Sequence, residues 1–392
     1  MALDLATLRT QVRELNWNLP ASGSKPIVIL LHGLGGDRDD WMNPFQDRNW
    51  PYDHRCDPEE IDEGVHSGPA MGKWPGLDTR YFLSPRLQSN SRGADRSDDR
   101  SWWQALVSAG FPVFTYSQAP TLLMPLSQGV VAEFKRFMET IMRDVLGDPA
   151  LCDRKIVLLG HSRGGLIARA FLGDPDVKAG TGSRFPQVSG LITLSSPHQG
   201  SHMSLMDDKL ISFLSAIQRH VPRLPNDAGN QVINVLKAKT DAFVDEYGDE
   251  IEPNSPFYRA LQAQEPVLPG VCCISVGGTS PRLMRVYLWM FTSDSLLPRR
   301  GRARKIEFHW RAKPIEARGA SPIPDGLPLK LLGFDVDEIM PGRGDGLTAD
   351  SRCHFPAPFQ VEEHLSFKLS HAEELWDPQL QATIIKRLDS FR

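Results

Sequence analysis

Residues 155–166 read KIVLLGHSRGGL, and the order of residue types in that stretch decides the fold. Lys155 to Leu159 is a short apolar run rich in branched side chains, the signature of a buried strand. From Leu166 to Leu172 the spacing turns helical. Between them stands Gly160-His161-Ser162-Arg163-Gly164, so a serine sits at a tight turn joining strand to helix. In such an elbow the serine occupies a strained backbone conformation. The positions two before and two after it must lack bulk for strand and helix to approach. Glycine fills both. The five-residue pattern alone is weak, since a glycine-containing chain meets it by chance; its placement between an apolar strand and a helix makes it specific. The plain alternative is a helix-capping serine, which needs neither flanking glycine. Ser195 and Ser196, the nearest rivals, lack the glycine frame.

Working outward, short Val- and Ile-rich runs alternate with longer stretches of helical period, the pattern of a mostly parallel sheet covered by helices on both faces. Strands are expected at Ile27 to Leu31, Phe111 to Tyr116, Lys155 to Leu159, Val188 to Leu194, Val271 to Val276 and Leu365 to Leu369. Helices are expected at Ser101 to Ala109, Leu126 to Leu146, Leu166 to Leu172 and Gln379 to Leu388. The last opens on Asp377-Pro378, a good cap and first-turn pair. The whole chain, 1–392, reads as one α/β domain with three insertions. Residues 37–100, rich in Pro, Gly, Asp and Arg, read as an inserted loop region. Residues 201–264 carry amphipathic helical patterns and read as a helical lid. Residues 279–343 form a second insertion, in which Tyr287, Trp289 and Phe291 suit either core or pocket wall. There are no internal repeats.

A serine hydroxyl is a weak nucleophile at neutral pH. Acyl transfer through it needs a base, a group that orients the base, and donors for the developing oxyanion. After an elbow of this kind the acid and the base follow in chain order, each in a loop at the carboxyl end of a strand. Asp345, in Gly344-Asp345-Gly346-Leu347, lies in a turn that presents a carboxylate; Asp350, Asp335 and Asp337 are its rivals. His371 lies between the last strand and the last helix, where the loop must return over the serine. His364 precedes that strand, and seven extended residues would separate the two histidines by roughly 20 Å, so only one can reach. One oxyanion donor is the backbone N–H of Arg163, which opens the helix. The second is expected in His32-Gly33-Leu34-Gly35-Gly36, from Leu34. His32, His161 and His198 read as loop or packing groups rather than second bases.

Composition bounds the rest. With 392 residues, 41% hydrophobic and 23% charged, the chain can bury a large core and is neither disordered nor fibrous. A formal net charge of −4 supplies no global field for nucleic acid, so no nucleic-acid partner is expected. Arg299, Arg300, Arg302, Arg304 and Lys305 read as a solvated loop, with a transient contact to a lipid surface as the alternative. Five cysteines, Cys56, Cys152, Cys272, Cys273 and Cys353, lack paired spacing and read as reduced thiols. Leu5, Leu8, Val12 and Leu15 form the stripe of an amphipathic helix, too highly charged for an export signal, and a cytoplasmic location is the expectation. His54, Cys56, Asp57, His66 and Asp78 match no tight zinc spacing, so no metal and no cofactor is expected, although the acidic residues leave calcium open.

The pieces ILLHGLGG, LLGHSRGG, LITLSSPHQGS, GRGDGLT and LSHAEEL, in that order across nearly the whole chain, resemble the bacterial lipase and carboxylesterase branch of the α/β-hydrolase superfamily. That resemblance implies a triad of Ser162, Asp345 and His371, oxyanion amides at Leu34 and Arg163, and a lid after Gly200. It implies a serine hydrolase cleaving small-molecule or lipid esters with apolar acyl chains through an acyl-enzyme. The alternatives are an acyltransferase using the same triad and a non-catalytic binding protein on the same scaffold. Arg163 departs from the glutamine or methionine that many lipases carry beside the nucleophile, and both long excursions exceed those of minimal members.

Overall fold

Ile27–Leu31 and Ile156–His161 are buried at every position, as strands flanked by neighbours and covered on both faces must be. Among the described residues they are the second and sixth of eleven strands in the computed structural model. It describes residues 14–20, 23–34, 36–42, 44, 72–73, 79–84, 101–118, 126–147, 153–178, 185–202, 249–263, 270–293, 308–318, 337–356 and 361–391. In chain order the strands are β1 (Asn16–Asn18), β2 (Ile27–Leu31), β3 (Gly72–Lys73), β4 (Thr79–Ser84), β5 (Val113–Thr115), β6 (Ile156–His161), β7 (Val188–Leu194), β8 (Cys272–Gly278), β9 (Arg282–Ser293), β10 (Phe308–Arg318) and β11 (Val361–Phe367). The described helices are α1 (Asp39–Met42), α2 (Trp102–Ser108), α3 (Val131–Thr140), α4 (Arg163–Gly173), α5 (Pro175–Lys178), α6 (Pro256–Ala263) and α7 (Pro378–Leu388). Wider π turns, Leu126–Val130 and Ile141–Val145, extend α3 at both ends, so the long covering helix of the sequence reading is present with altered winding.

Seven strands form the main sheet in the order β1-β5-β2-β6-β7-β8-β11. All neighbours run parallel except β1, which pairs antiparallel with β5 at the edge. Side chains alternate across a strand, so one apolar run feeds two cores. Ile27, Ile29, Leu31, Ile156 and Leu158 pack with Phe134 and Phe137 of α3 and with Leu166 and Ile167 of α4. Val28, Leu30, Val157 and Leu159 pack on the other face with Trp102 and Leu106 of α2 and with Leu380, Ile384 and Leu388 of α7. This is the two-faced parallel architecture expected from the sequence.

The helix boundaries follow their caps. Ser101 accepts from Gln104 N while the Gln104 side chain accepts from Ser101 N, closing a capping box at the start of α2. Asp377 accepts from Leu380 N at 2.8 Å, with Pro378 in the first turn of α7. Strand boundaries depart from expectation most at β8 and β11. β8 continues to Gly278, and β11 begins at Val361 and ends at Phe367, because parallel pairing with β8 from Cys273 to Gly278 sets its register. The short β1 was not anticipated; of the N-terminal stripe only Leu15 falls among the described residues, where it is buried just before β1.

The excursions at 37–100 and 279–343 share a structure. β3 and β4 come from the first, β9 and β10 from the second, and they form one antiparallel sheet in the order β10-β9-β4-β3. Thr79 pairs with Met290 and Tyr81 with Leu288. Tyr287, Trp289 and Phe291 fall at alternate positions of β9, opposite Pro314, Ala312 and Trp310. In the 201–264 stretch the described residues are 201–202 and 249–263, including α6; the remainder, like the arginine-rich run at 299–305 and the ligand-type residues from His54 to Asp78, lies outside the described residues. Among the described residues no helix is long and apolar enough to cross a membrane.

Candidate active site

Ser162 directly follows β6 and caps α4 with φ 55° and ψ −126°. A non-glycine residue in that region stores on the order of 1–3 kcal/mol of backbone strain, sustained only where the surroundings fix it. The surroundings do: Ser162 N donates to Leu194 O at 2.8 Å, and Gly165 N to Ser162 O at 3.1 Å. A Cβ at Gly160 would stand 2.5 Å from Gly165 N, and one at Gly164 would stand 2.2 Å from Leu31 O. The two glycines are therefore the condition for strand and helix to close on the serine.

The loop after β2 closes on the same point. A Cβ on Gly33 would lie 3.1 Å from Ser162 Cβ, so this backbone lines the serine directly. Gln118 N donates to His32 Nε2 at 2.9 Å. The neutral ring therefore carries its proton on Nδ1, which donates to Gly33 O at 2.9 Å. His32 thus fixes the peptide leading into Leu34. Arg163 is the first residue of α4, and its side chain is buried with Nη2 3.9 Å from Glu250 Oε2. Glu250 also accepts from Leu126 N at 2.7 Å, so the residue beside the serine is tied to the segment that precedes α6.

Asp345 and His371 meet from two separate loops. The Asp345 carboxylate is fully buried; its Oδ1 accepts from Leu347 N at 2.8 Å and Thr348 N at 2.6 Å, and its Oδ2 lies 2.7 Å from His371 Nδ1. The backbones are joined as well, His371 N donating to Asp345 O at 3.1 Å. Burial by itself would raise the Asp345 pKa, but the charge of His371 and its hydrogen bond, helped by Ser195 and Thr348, bring it below the ordinary carboxylate value. Asp345 is accordingly ionised, His371 Nδ1–H donates to it, and Nε2 is left as the basic nitrogen.

His161 joins this pair to the elbow. Its ring centroid is 4.6 Å from that of His371, and its Nε2–H donates to His371 O at 2.9 Å. Burial, with the neighbouring His371 second, pushes its pKa down to about 3, so it stays neutral and competes with His371 for no proton. Sequence reasoning treated it as packing; its second task, clamping the His371 loop to the residue next to Ser162, needs a contact spanning 210 positions.

A second buried carboxyl group went unnoticed in the sequence. Glu374 has no exposed surface, and its Oε1 accepts from Ser195 Oγ at 2.5 Å. Burial first, and the charge of Asp345 second, raise its pKa well above the carboxylate range, so it stands as a neutral acid beside an ionised one. Its own backbone oxygen accepts from Trp102 Nε1 at 2.8 Å. Only its position three residues after His371, in a turn that doubles back, hinted at this.

The rival residues occupy other places. Asp350 and His364 bond to each other at 3.2 Å, and Asp337 makes a surface ion pair with Arg343 at 3.0 Å; Asp335 lies outside the described residues. Ser195 is committed to Glu374, and Ser196 is buried. His198 packs its ring on Phe355 at 4.0 Å while its carbonyl receives Arg169 Nη1 at 2.6 Å.

The sheet order, the strained serine between β6 and α4, and the acid and histidine that follow it in chain order define an α/β-hydrolase fold. Residues 132–247 match the family model described as a PGAP1-like alpha/beta domain. No curated protein matches the chain. Among solved structures, the mature lipase BlEst2 of Bacillus licheniformis is similar at 14% identity and a TM-score of 0.41, over 95% of this chain and 97% of that one. The product of gene lin2722 from Listeria innocua is similar at 12% identity and a TM-score of 0.37, over 94% and 95%. MenH from S. aureus is similar at 10% and 0.37, over 96% and 98%.

Proposed function

We propose that the protein is a serine carboxylic ester hydrolase of lipase or esterase type. Ser162 attacks the acyl carbonyl, His371 Nε2 takes the hydroxyl proton, and Asp345 holds the imidazole and stabilises its protonated form. The carbonyl oxygen becomes an oxyanion met by the backbone N–H groups of Leu34 and Arg163. Collapse expels the alcohol, which receives the proton from His371, and leaves an acyl-Ser162 ester. Water, deprotonated by His371, then releases the carboxylic acid and regenerates the serine. The observation that carries this reading is the 2.7 Å bond from a buried, ionised Asp345 to His371 Nδ1, because it presents Nε2 as the free base beside a serine elbow. The helical patterning after Gly200 supports esters with apolar acyl chains, a small-molecule or lipid substrate.

The test is hydrolysis of p-nitrophenyl butyrate and laurate by wild type and by Ser162→Ala, with circular dichroism as the fold control. Wild type should turn over and react with a fluorophosphonate probe, and the variant should do neither while keeping its fold. Undiminished turnover by a folded Ser162→Ala variant would end the proposal.

A further inference from the structure

The turn after Asp345 carries a second cluster of side chains that the ester chemistry does not use. Asp350, His354 and His364 come from that turn and from edge strand β11, and each offers a ligand-type atom, all lying within 4.8 Å of one another. The geometry points to a binding site for a divalent first-row metal ion, zinc by its ligand set, formed by the Asp350 carboxylate and the His354 and His364 imidazoles.

Four features favour this over a solvated ion pair. First, His364 Nδ1 lies 2.7 Å from Ser275 Oγ, a buried hydroxyl of β8. With Nδ1 held there, the Nε2 edge of the ring faces Asp350, and a bound ion would take the place of the proton between them, as where ligating histidines are held by an outer partner. Second, His364 Nε2 stands 3.2 Å from Asp350 Oδ1. Two ligand atoms bound to zinc at ~2.0–2.1 Å in a tetrahedron are separated by roughly 3.3 Å. Third, the His354 and His364 rings stack with centroids 3.5 Å apart and planes 23° apart. That stack places a second imidazole beside the first, so that ligand atoms of Asp350, His354 and His364 all lie within 4.8 Å of one another. Fourth, the carboxylate is held from outside: Ser366 Oγ donates to it at 2.9 Å, and a Cβ on Gly277 of β8 would lie 2.1 Å from Asp350 Oδ1, so the strand leaves room for it. Two imidazoles and one carboxylate form a recurrent three-ligand set for zinc, with the fourth position left to water.

The placement gives the ion a task. Asp350 lies five residues after Asp345, and His364 lies seven before His371 on the strand that leads to it. A bound ion would therefore fasten the acid-bearing turn to the strand that delivers the histidine, without touching the serine. Sequence reading considered Asp350 and His364 only as rivals for the triad, and expected no metal.

The test uses the full chain stripped with a chelator, then titrated with zinc by calorimetry and with cobalt followed by its visible ligand-field bands. The site predicts one ion per chain at about micromolar affinity or tighter, tetrahedral cobalt bands and a melting temperature that rises by several degrees with zinc. His354→Ala, at an exposed position, should keep the fold yet weaken zinc binding at least about 100-fold; Asp350→Asn should do the same with the side-chain volume preserved. The proposal is overturned if wild type shows no saturable stoichiometric binding, or if either folded variant binds zinc as tightly as wild type.

Discussion

The two halves of the candidate site are built by different physics. On the serine side, from β6 through α4, position is set by backbone: three polypeptide segments approach so closely that a Cβ at Gly160 or Gly164 would fall 2.5 Å or 2.2 Å from main-chain atoms. On the acid and base side, position is set by buried polar groups. Asp345 and Glu374 are both without exposed surface, and they are kept apart in charge: His371 holds Asp345 ionised, while burial and the Asp345 charge itself hold Glu374 neutral. A backbone elbow is specified by glycines within a few residues. A polar network is specified by partners far away in sequence, and it stays sensitive to pH.

The largest predicted effect separates chemistry from architecture. Asp345→Asn keeps the shape of the side chain but cannot hold His371 in the same tautomer, and ester turnover should fall about 10⁴-fold with the fold retained. A loss below tenfold would show that the polar half does not orient the base. Next comes the backbone half. Gly160→Ala places a methyl group against Gly165 N and should cost about 3 kcal/mol or more in urea unfolding, with activity lost through displacement of Ser162. An unchanged midpoint would mean that the elbow is looser than its close contacts indicate.

That contrast also explains how much was readable in the sequence. KIVLLGHSRGGL states its strand, its turn and its helix within twelve residues, and β2 and β7 run over the residues expected because each is an apolar run enclosed on both faces. β11 was misjudged at its start because it is an edge strand whose residues from Glu363 to Ser366 are only partly buried or exposed, so its pattern is diluted. The pairing of β4 with β9 joins two insertions about 200 positions apart, and neither carries a local sign of the other. Asp345 and His371, which the structure brings together, could be named as candidates from chain order, and Leu34 and Arg163 as candidates from the turns they occupy. The neutral Glu374 could not, since its state depends on its burial in the folded chain and on the charge of Asp345 beside it.

The third prediction uses the opposite protonation habits of the two halves. His161, beside the serine, is held neutral at a pKa of about 3, below its ordinary 6.5; the unfolded chain takes up a proton there first, so stability falls as pH drops from 6.5 toward 3. Glu374, beside the acid, is raised above its ordinary 4.5. Its contribution is present in full below 4.5 and is lost as pH rises toward the folded value. Each slope is limited to about 1.4 kcal/mol per pH unit. Glu374→Gln should gain on wild type with every unit above pH 5, and His161→Asn should flatten the acid side alone. Denaturation midpoints measured from pH 4 to pH 9 check both, and parallel curves for wild type and Glu374→Gln would contradict a neutral buried acid.

The smallest effect asks whether the polar half leans on local structure. α7 starts seven residues after His371, and Asp377 caps it through Leu380 N while its own N–H donates to Glu373 O at 3.0 Å in the turn between. Asp377→Ala should remove about 1 kcal/mol of stability, the usual worth of such a cap. If His371 is held by Asp345 and His161, as the distances of 2.7 Å and 2.9 Å describe, fraying at the cap stops short of it. Ester turnover should then stay within about twofold of wild type, because sites without shared partners act independently. A loss of turnover that tracks the loss of stability would instead place the control of His371 in the helix behind it, and would erase the distinction between a serine fixed locally and a base fixed at long range.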